Sequence, residues 1–304
     1  MTAADFPPTH DLSQKLVIGI SSRVLFDLRK EHDLFVSRGL DAFSRHQVEN
    51  EESVLAHGPG FPLTQAFLRL NEMIPGHRPV EIIIMSRNSA DTGLRIFKSI
   101  DHYGLEITRA AFTSGVPLAR YLHAFAIDLF LSADEGDVRS ALDAGFAAGQ
   151  VVGGGNCSLG QHPDQIRIAF DGDAVLFSGE SEAIFRRDGI DAFHAHERKH
   201  ASTPLEDGPF AKFLRTLAFV QSRFSGETPP IRTALVTARD NPAHERVIQT
   251  LRHWDVAIDE VFFLGGAPKD RVLSAFGAQI FFDDQRRNCE VAARVVPTAR
   301  VPSD

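Results

Sequence analysis

The sequence has 304 residues, enough for about two domains with a buried core. Its 40 acidic and 32 basic side chains leave a net charge of -8, which disfavours a surface for nucleic-acid polymers or anionic membranes. The amino-terminal residues lack the basic start and apolar core of a secretion signal, and no apolar run approaches the roughly 20 residues that span a bilayer. The sequence therefore predicts a cytoplasmic protein, whose two cysteines, Cys157 and Cys289, lack metal-type spacing and should be reduced thiols.

Short apolar runs indicate the strands of a parallel sheet. In chain order they are LVIGI (16–20), EIIIM (81–85), IDLFL (127–131), IRIAF (166–170), TALV (233–236), EVFF (260–263) and AQIFF (278–282). Continuous apolar runs of this length are typical of strands buried on both faces of a sheet. Helical patterns lie between them, and in residues 242–254 Pro242 suits the first turn of a helix. One face of this predicted helix collects the apolar residues Val247, Ile248, Leu251 and Trp254. The sequence therefore predicts an α/β fold.

The chain also matches itself. The tripeptide VLF occurs at 24–26 and at 175–177, an offset of 151 residues, and the same offset aligns 83–134 with 234–285 without a gap. Identical pairs in this alignment include Arg95 with Arg246, Gly115 with Gly266, Pro117 with Pro268 and Phe130 with Phe281. An offset of 150 aligns GLDAF at 39–43 with GIDAF at 189–193. So many matches in one register predict an ancient tandem duplication.

The repeat divides the chain into two predicted domains, residues 1–151 and 152–304. The join is predicted within 151–165, because the Gly, Ser, Asn and Pro content of this segment is typical of a linker. In the second domain, residues 178–230 separate the first two predicted strands. Their helical stretch FAKFLRTLAFVQSRF predicts a small helical cap.

Polar residues follow four apolar runs of the second domain. In chain order they are Asp171 and Asp173, then Thr237, then Gly265, Gly266 and Lys269, then Asp283 and Asp284. Each feature alone is weak, because Asp-x-Asp also binds metals in sugar-nucleotide transferases or simply forms a turn, a Thr often caps a helix, and a Lys is usually solvated. The carboxyl ends of parallel strands form one ligand-binding edge, however, and adjacent carboxylates need a cation or a proton. Together the four features predict a phosphate site.

The order Asp-x-Asp, Thr, Lys, Asp-Asp resembles the four motifs of the haloacid-dehalogenase-like phosphotransferases. The segments AFDGDAVLFS, GIDAF, GPFAKFL, TALVTARD, GGAPK and IFFDDQ resemble one branch of them, the cytosolic 5′-nucleotidase type I family, and the resemblance covers nearly the whole chain. Val175 departs from the wider superfamily, in which many members carry Thr. The resemblance implies a tandem duplication of a haloacid-dehalogenase-like, Rossmann-like three-layer domain with a parallel sheet and small helical caps.

The resemblance and the chemistry of phosphate transfer together suggest roles for these residues. Asp171 is expected to attack phosphorus and form an aspartyl phosphate, and Asp173 to protonate the leaving 5′-oxygen and then activate water. For the first of these steps Asp173 must begin protonated, which neighbouring carboxylates favour. Lys269 would offset negative charge, while Thr237 and the backbone near Ala238 would hold phosphoryl oxygens.

Mg²⁺ is the expected cofactor. It would be held by Asp171, the backbone carbonyl of Asp173, and Asp283 or Asp284, with water completing its oxygen ligands.

Specificity for a nucleobase would come from the cap. The candidate base-binding rings are Phe177, Phe193 and Phe210, with Phe185 and Phe213 also close to the predicted entry in sequence. For any single ring, packing between cap helices is the favoured interpretation. The histidines of HAHERKH could ligate a metal, but helical spacing does not place His194 and His196 on one face, so a polar cap helix is favoured over a metal site for this segment.

The first domain has lost the charged groups at the registered positions. Its replacements are Ile20 for Asp171, Ser22 for Asp173, Leu118 for Lys269 and Ser132-Ala133 for Asp283-Asp284, whereas Ser86 still resembles Thr237. We therefore predict a catalytically inactive scaffold or interface, which could serve a homo-oligomer. The alternative is a regulatory nucleotide site with charge from Arg87, Arg95 or Arg120.

The preferred function is Mg²⁺-dependent hydrolysis of nucleoside 5′-monophosphates to nucleoside and phosphate, and the resemblance favours AMP or related purine substrates. Hydrolysis of another small phosphate ester, such as a sugar phosphate, is an alternative with the same chemistry. A non-catalytic nucleotide sensor is disfavoured, because the second domain retains the charges that the first has lost. Glycosyl transfer is the weakest alternative, since it has no use for Lys269 and the Asp283-Asp284 pair.

Overall fold

A computed structural model describes residues 12, 14–73, 78–153, 165–224 and 228–303. Most of the predicted join at 151–165, including Cys157, lies outside these residues.

The described residues form an α/β fold around one mostly parallel sheet, which confirms the α/β class and the parallel sheet of the prediction. The ten strands are β1 (Leu16–Ile20), β2 (Val80–Ser86), β3 (Arg109–Phe112), β4 (Leu129–Ser132), β5 (Ala147–Gly153), β6 (Ile166–Phe170), β7 (Ile231–Thr237), β8 (Glu260–Phe263), β9 (Ile280–Asp283) and β10 (Thr298–Arg300). Their order across the sheet is β3-β2-β1-β4-β5-β10-β9-β6-β7-β8. The predicted runs at 16–20, 166–170 and 260–263 coincide with strands residue for residue.

The sheet consists of two halves that run in opposite directions. All neighbouring strands are parallel except β5 and β10, which meet antiparallel at the centre; we call this pairing the seam. The first half has the order β3-β2-β1-β4-β5, and the second half repeats it from the opposite edge as β8-β7-β6-β9-β10. Across the seam, Ser132 pairs with Gln150, Gln150 with Arg300, and Arg300 with Asp283. The carboxyl ends of β4 and β9 therefore lie on one row of the sheet.

Helices cover both faces of the sheet. They are α1 (Ser22–Leu25), α2 (Arg29–Glu49), α3 (Phe61–Met73), α4 (Ala90–His102), α5 (Ala119–Leu122), α6 (Glu135–Asp143), α7 (Glu180–Lys199), α8 (Ala211–Gln221), α9 (His244–His253), α10 (Asp270–Phe276) and α11 (Arg286–Ala292). Helices α7 and α8 fall within the predicted insertion at 178–230, and α2 and α3 occupy the same place between β1 and β2. Within the described residues, no helix is long and apolar enough to cross a membrane.

The two long helices α2 and α7 are interrupted at the same point. Gly39 has φ 78° and ψ -177°, and Gly189 has φ 83° and ψ -177°. This backbone region is essentially restricted to glycine, so each helix consists of two segments that meet at a kink.

One predicted helix differs from the structure at its start and on its face. Helix α9 begins at His244, and Pro242 precedes it after a cis peptide bond, so the predicted first-turn position of Pro242 is wrong. Val247 and Leu251 are buried as predicted, whereas Ile248 is exposed. The reason is that Ile248 is rotated by about 100° from Val247 around the helix axis, which turns it away from the core.

The core lies on both faces of the sheet and continues between the halves. In β6, Ile168 and Phe170 belong to one buried cluster and Ala169 to another, as expected for alternating side chains of a fully covered strand. Helix α3 contacts β6 of the second half, and α8 contacts β1 of the first. Each half thus packs a helix against the central strand of the other.

Candidate active site

The predicted acids converge because three neighbouring strands end together. The strand order β9-β6-β7 places Asp171, which follows β6, between Asp283 at the end of β9 and Thr237 at the end of β7. Asp171, Asp283 and Thr237 are all buried. The prediction that these residues share one edge agrees with the structure.

Lys269 lies between two of these acids. Its Nζ is 2.8 Å from Asp171 Oδ1 and 2.7 Å from Asp283 Oδ2. Burial opposes the charge on the ammonium group, but the two carboxylates outweigh it and hold the pKa of Lys269 above its ordinary value. Burial raises the pKa of Asp171 well above its ordinary range, with the charges of Asp283 and Asp173 acting in the same direction and Lys269 opposing them.

Three buried carboxylates form a group with the chemistry of a cation site. One oxygen from each of Asp171, Asp283 and Asp284 lies within 4.8 Å of the other two. Asp284 Oδ2 accepts a hydrogen bond of 2.9 Å from Ser303, but within the described part of the chain its buried Oδ1 has no hydrogen-bond partner. Burial, with the charges of Glu182 and Asp283, raises the pKa of Asp284 to about 6. An unpartnered carboxylate oxygen beside two others is a donor set that fits a hard divalent cation.

The carboxylate of Asp283 is oriented by residues that follow it in the chain. Its Oδ1 accepts a hydrogen bond of 2.9 Å from the backbone N–H of Gln285, and Asn288 donates to both of its oxygens at 3.3 and 3.2 Å. These contacts fix the carboxylate in the orientation in which it meets Lys269.

Asp173 makes a contact that the sequence did not lead us to expect. Both of its carboxylate oxygens accept hydrogen bonds from Arg239, from Nε at 2.9 Å and from Nη2 at 2.7 Å. Its side chain therefore points to Arg239 and is not one of the clustered carboxylates. Only neighbouring carboxylates, and not this guanidinium, entered the expectation for Asp173.

Thr237 and Ala238 lie beside the loop that carries Asp171. A Cβ atom added to Gly172 would lie 3.2 Å from Thr237 Oγ1, so the absence of a side chain at Gly172 permits this close approach. The Thr237 hydroxyl accepts a hydrogen bond of 3.2 Å from the backbone N–H of Arg239, and Ala238 accepts one of 3.1 Å from Gly266. These contacts join the loop after β7 to the glycine turn that precedes Lys269.

The candidate base-binding rings fall into two groups. Phe177, Phe210 and Phe213 are fully buried: Phe210 packs 4.6 Å from Phe282, and Phe177 packs 5.5 Å from Trp254. These three rings are part of the core and offer no free face to a base.

Phe193 and Phe185 form the second group. Phe193 is buried, and its ring lies 5.5 Å from the guanidinium of Arg239. Phe185 is 47% exposed, and its ring meets Phe193 edge to face at 6.3 Å. This pair of rings therefore extends from Arg239 to the surface of the protein.

The first turns of α7 lie over the acids. Glu182 accepts a hydrogen bond of 2.9 Å from Gln285, and Arg186 is 2.6 Å from Glu182 and 4.0 Å from Asp284. On the second segment of α7, His194 is 2.9 Å from Asp240. The two segments on either side of Gly189 thus both reach the candidate site.

The histidines of α7 do not form a metal site in the part of the chain that the structure describes. The ring of His196 lies 4.2 Å from that of His200, and its Nε2 is 3.3 Å from Arg246. His194 is paired with Asp240, away from both. The three clustered aspartates are the acidic or histidine group that could hold a metal among the described residues.

The strand pairings correct one position of the repeat: Ile20 pairs with Ile84 as Phe170 pairs with Leu235, so Ser21, and not Ile20, corresponds to Asp171. The reason is that β1 and β6 are 150 residues apart, not 151.

The first half has a different chemistry at the other registered positions. Ser22 and Ser86 are joined through their hydroxyls at 3.1 Å, and Leu118 is buried in an apolar cluster. Of the three arginines considered for a nucleotide, Arg95 is buried in an ion pair of 2.9 Å with Glu31, Arg87 is paired with Asp137, and Arg120 is exposed.

The sequence did not single out Arg239 and Glu197. Both are buried and charged, and the repeat contains a signal that could have revealed them. At the registered positions the first half has Asn88 and Gln47, so the second half carries charges here that the first half lacks, as it does at the acids.

Two comparisons with known proteins agree on one family. A family model described as 5'-nucleotidase matches residues 8–304. The human (Homo sapiens) protein cytosolic 5'-nucleotidase 1B is 36% identical over 290 residues, which cover 92% of this chain and 47% of the human protein. This chain thus spans about half the length of that relative. Among solved structures, a histidinol dehydrogenase from Elizabethkingia anophelis aligns at 8% identity with a TM-score of 0.21, over 73% of this chain and 45% of that one, and this weak likeness carries no conclusion.

Proposed function

Because the chain belongs to the 5'-nucleotidase family, we propose that it hydrolyses nucleoside 5′-monophosphates to a nucleoside and phosphate, with AMP-like substrates preferred and Mg²⁺ as cofactor. The observation that carries this proposal is the group of buried carboxylates around Lys269 at the ends of β6 and β9. A phosphate monoester needs positioned charge and a nucleophile, and this edge supplies both.

Asp171 is the proposed nucleophile. It attacks phosphorus in line with the leaving oxygen and forms an aspartyl phosphate. Asp173 donates a proton to the departing 5′-oxygen and later takes a proton from the water that hydrolyses the intermediate. For the first of these steps Asp173 must carry a proton, and each of its oxygens keeps a lone pair that can bind this proton, because Arg239 occupies only one lone pair on each oxygen.

Asp171, Asp283 and Asp284 are the side chains that would hold Mg²⁺, together with the backbone carbonyl of Asp173. When bound, the cation neutralises negative charge, so that a carboxylate and an anionic phosphate can approach each other. The unpartnered Oδ1 of Asp284 supports this assignment.

Lys269, Thr237 and the backbone near Ala238 would bind the phosphoryl oxygens. Lys269 is already positioned beside Asp171, and burial strengthens its interaction with negative charge. Thr237 lies next to Gly172, the residue after the nucleophile. It ends β7, which flanks β6 on the side opposite to β9 and Asp283.

Phe193 and Phe185 are the proposed base-binding rings. Phe185 offers an exposed face, and Phe193 supports it from the side of Arg239. A ring of this kind can stack on a nucleobase.

The two halves are proposed to be a tandem duplication of a haloacid-dehalogenase-like domain, with residues 1–151 as the inactive copy and 152–304 as the catalytic copy. Corresponding strands support this, since β1 and β6 begin 150 residues apart and the other four pairs begin 151 residues apart. The first copy is proposed to act mainly as a scaffold, because Arg95 and Arg87 are already paired with acids. The name of the human relative supports a cytoplasmic location.

Phosphate release from a panel of nucleoside monophosphates and sugar phosphates tests the function. We expect release from nucleotides that requires Mg²⁺ and falls at least about 10³-fold in Asp171→Asn. Faster release from sugar phosphates would contradict the substrate class. Nucleotide binding without release of phosphate from any compound would contradict hydrolysis and favour a sensor.

A further inference from the structure

Arg239 lies at the centre of a buried chain of ion pairs. Besides the two hydrogen bonds to Asp173, it donates one of 2.6 Å from Nη1 to Glu197 Oε2. The other oxygen of Glu197 accepts hydrogen bonds from Arg246 at 3.0 Å and from Ser181 at 2.8 Å. The side chains of Arg239 and Glu197 are 2% and 0% exposed. Since Glu197 belongs to α7, these ion pairs connect Asp173 to the predicted cap.

The first half contains the structural part of this network without Arg239. Arg95 Nε donates to the carbonyl of Ser53 at 2.9 Å, as Arg246 does to Thr203 at 2.9 Å. Arg95 Nη1 also donates to Gln47 at 3.0 Å, the position of Glu197.

The compensating charge in the first half comes from Glu31, which lies 2.9 Å from Arg95 at the position of Ser181. One arginine and one carboxylate therefore suffice to attach both segments of α2 to α4. Arg239 and Asp173 both occur in the second half. The first half has Asn88 at the position of Arg239 and Ser22 at the position of Asp173.

We propose that Arg239 is a positioning residue for the reaction: its planar fork orients Asp173 toward the leaving 5′-oxygen, and Glu197 of the cap helix orients Arg239. This inference rests on the proposed function. A guanidinium that bridges two carboxylates fixes both in one plane, which a lysine ammonium cannot do. Asp173 is thereby aligned only when α7 is in place over the site.

The leaving group provides a test of this role. A nucleoside 5′-alkoxide must receive a proton from Asp173 as its bond to phosphorus breaks, whereas 4-nitrophenolate leaves without one. Because kcat/KM covers the steps up to departure of the leaving group, loss of alignment should affect the two esters differently. A residue that merely stabilises the fold would affect both equally.

The experiment compares kcat/KM for AMP and for 4-nitrophenyl phosphate, both with Mg²⁺, in the wild type, Arg239→Gln and Arg239→Lys. We expect Arg239→Gln to lower the value about 10²-fold for AMP and less than about threefold for 4-nitrophenyl phosphate. Arg239→Lys should resemble Arg239→Gln, because it keeps the charge but loses the fork.

Arg239→Gln leaves the half-buried Asp173 without its guanidinium partner and Glu197 with one arginine in place of two, so a second variant protects the test against misfolding. The triple change Ser181→Glu, Glu197→Gln and Arg239→Asn reproduces the network of the first half, which folds with these residues. We expect the midpoint of its urea unfolding to equal that of the wild type. As in Arg239→Gln, kcat/KM should fall much more for AMP than for 4-nitrophenyl phosphate. Asn88→Gln, at the registered position of the first half, is the matched control and should leave both values unchanged.

Two results would overturn the inference alone. An equal loss with both esters and a raised KM would mean that Arg239 contacts the substrate phosphate directly. Unchanged values in the folded triple variant would mean that the ion pairs are purely structural. A wild type that hydrolyses neither ester would instead contradict the proposed function, and the inference with it.

Discussion

Asp284 combines a buried position with a carboxylate oxygen that has no hydrogen-bond partner among the residues the structure describes. A residue of this kind costs stability in the absence of a cation. The raised pKa gives the size of this cost: a shift from 3.8 to about 6 corresponds to about 3 kcal/mol in favour of the protonated folded state.

We therefore expect Asp284→Asn to stabilise the protein when a chelator is present. Below pH 3.8 the wild-type carboxyl is protonated in both the folded and unfolded states, so it carries no penalty there. The penalty grows as the pH rises from 3.8 to about 6 and is constant above, because only the unfolded state ionises freely in this interval. Urea unfolding at pH 7 should show that the free energy of unfolding of Asp284→Asn exceeds that of the wild type by up to about 3 kcal/mol. This difference should disappear near pH 4.

Addition of Mg²⁺ is the complementary measurement. It should stabilise the wild type much more than Asp284→Asn, since binding to the folded state alone raises stability. A variant that is less stable than the wild type in chelator would show that Asp284 is structural.

At this scale the sequence predicted the residues that lie at strand ends but not their partners. Asp171, Thr237 and Asp283 could be placed because parallel strands end at one edge. The contact between Asp173 and Arg239 could not, because Arg239 lies two residues beyond its strand and the direction of a side chain there depends on the loop. The rings of Phe177 and Phe210 were misjudged for a similar reason, since nearness in sequence to the acids says nothing about the side of the loop on which a ring packs.

The kinked helix α7 contacts the candidate site at two places. The first segment of α7 places Glu182 and Arg186 over the acids, and the second places Phe193 and Glu197 beside Arg239. A straight helix would not follow the same path, so we expect the kink at Gly189 to be needed for both sets of contacts.

Replacement of Gly189 by Ala tests this requirement against a matched control. Both Gly189→Ala and Gly39→Ala place a Cβ in a backbone region that is essentially open to glycine alone, so each should lower the free energy of unfolding by about 1–3 kcal/mol. Only Gly189→Ala should also lower kcat/KM for AMP, by about tenfold, because its helix reaches the acids. Equal kinetics in the two variants would contradict a role for the kink in the site.

Strands were easier to predict than helix limits. The apolar runs are short and bounded by polar residues, so several coincide with strands, whereas the start of α9 depends on the turn at Asn241–Pro242, which no periodic pattern reports.

The whole molecule behaves as one sheet whose halves share a core. A single cluster contains Ile18 and Ile84 of the first half together with Phe170 and Phe282 of the second. Helices α3 and α8 each pack against a strand of the opposite half. The repeat could predict two similar units, but their mode of association depends on the seam, for which the sequence has no distinct signal.

We expect the two halves to unfold together, and the single tryptophan permits a direct test. Trp254 lies in the second half and reports on it by fluorescence, while circular dichroism reports on all helices and strands. Phe130→Ala empties a fully buried position of the first half and should lower the free energy of unfolding by about 3–5 kcal/mol. Both probes should shift together, as they should for Phe281→Ala at the registered position. A fluorescence transition that stays at its wild-type midpoint in Phe130→Ala would show that the halves unfold separately.

The seam also imposes an order on biosynthesis. Strand β5 ends at Gly153, but its antiparallel partner β10 comes last of the ten strands, at Thr298–Arg300. At roughly 5–20 residues per second, a ribosome needs on the order of 10–30 s to produce the intervening chain. During this interval the free N–H and C=O groups of β5 form an open edge, which is the kind of surface to which other nascent chains can add. The arrangement that unites the two halves thus leaves the first half in need of protection until the second has been made.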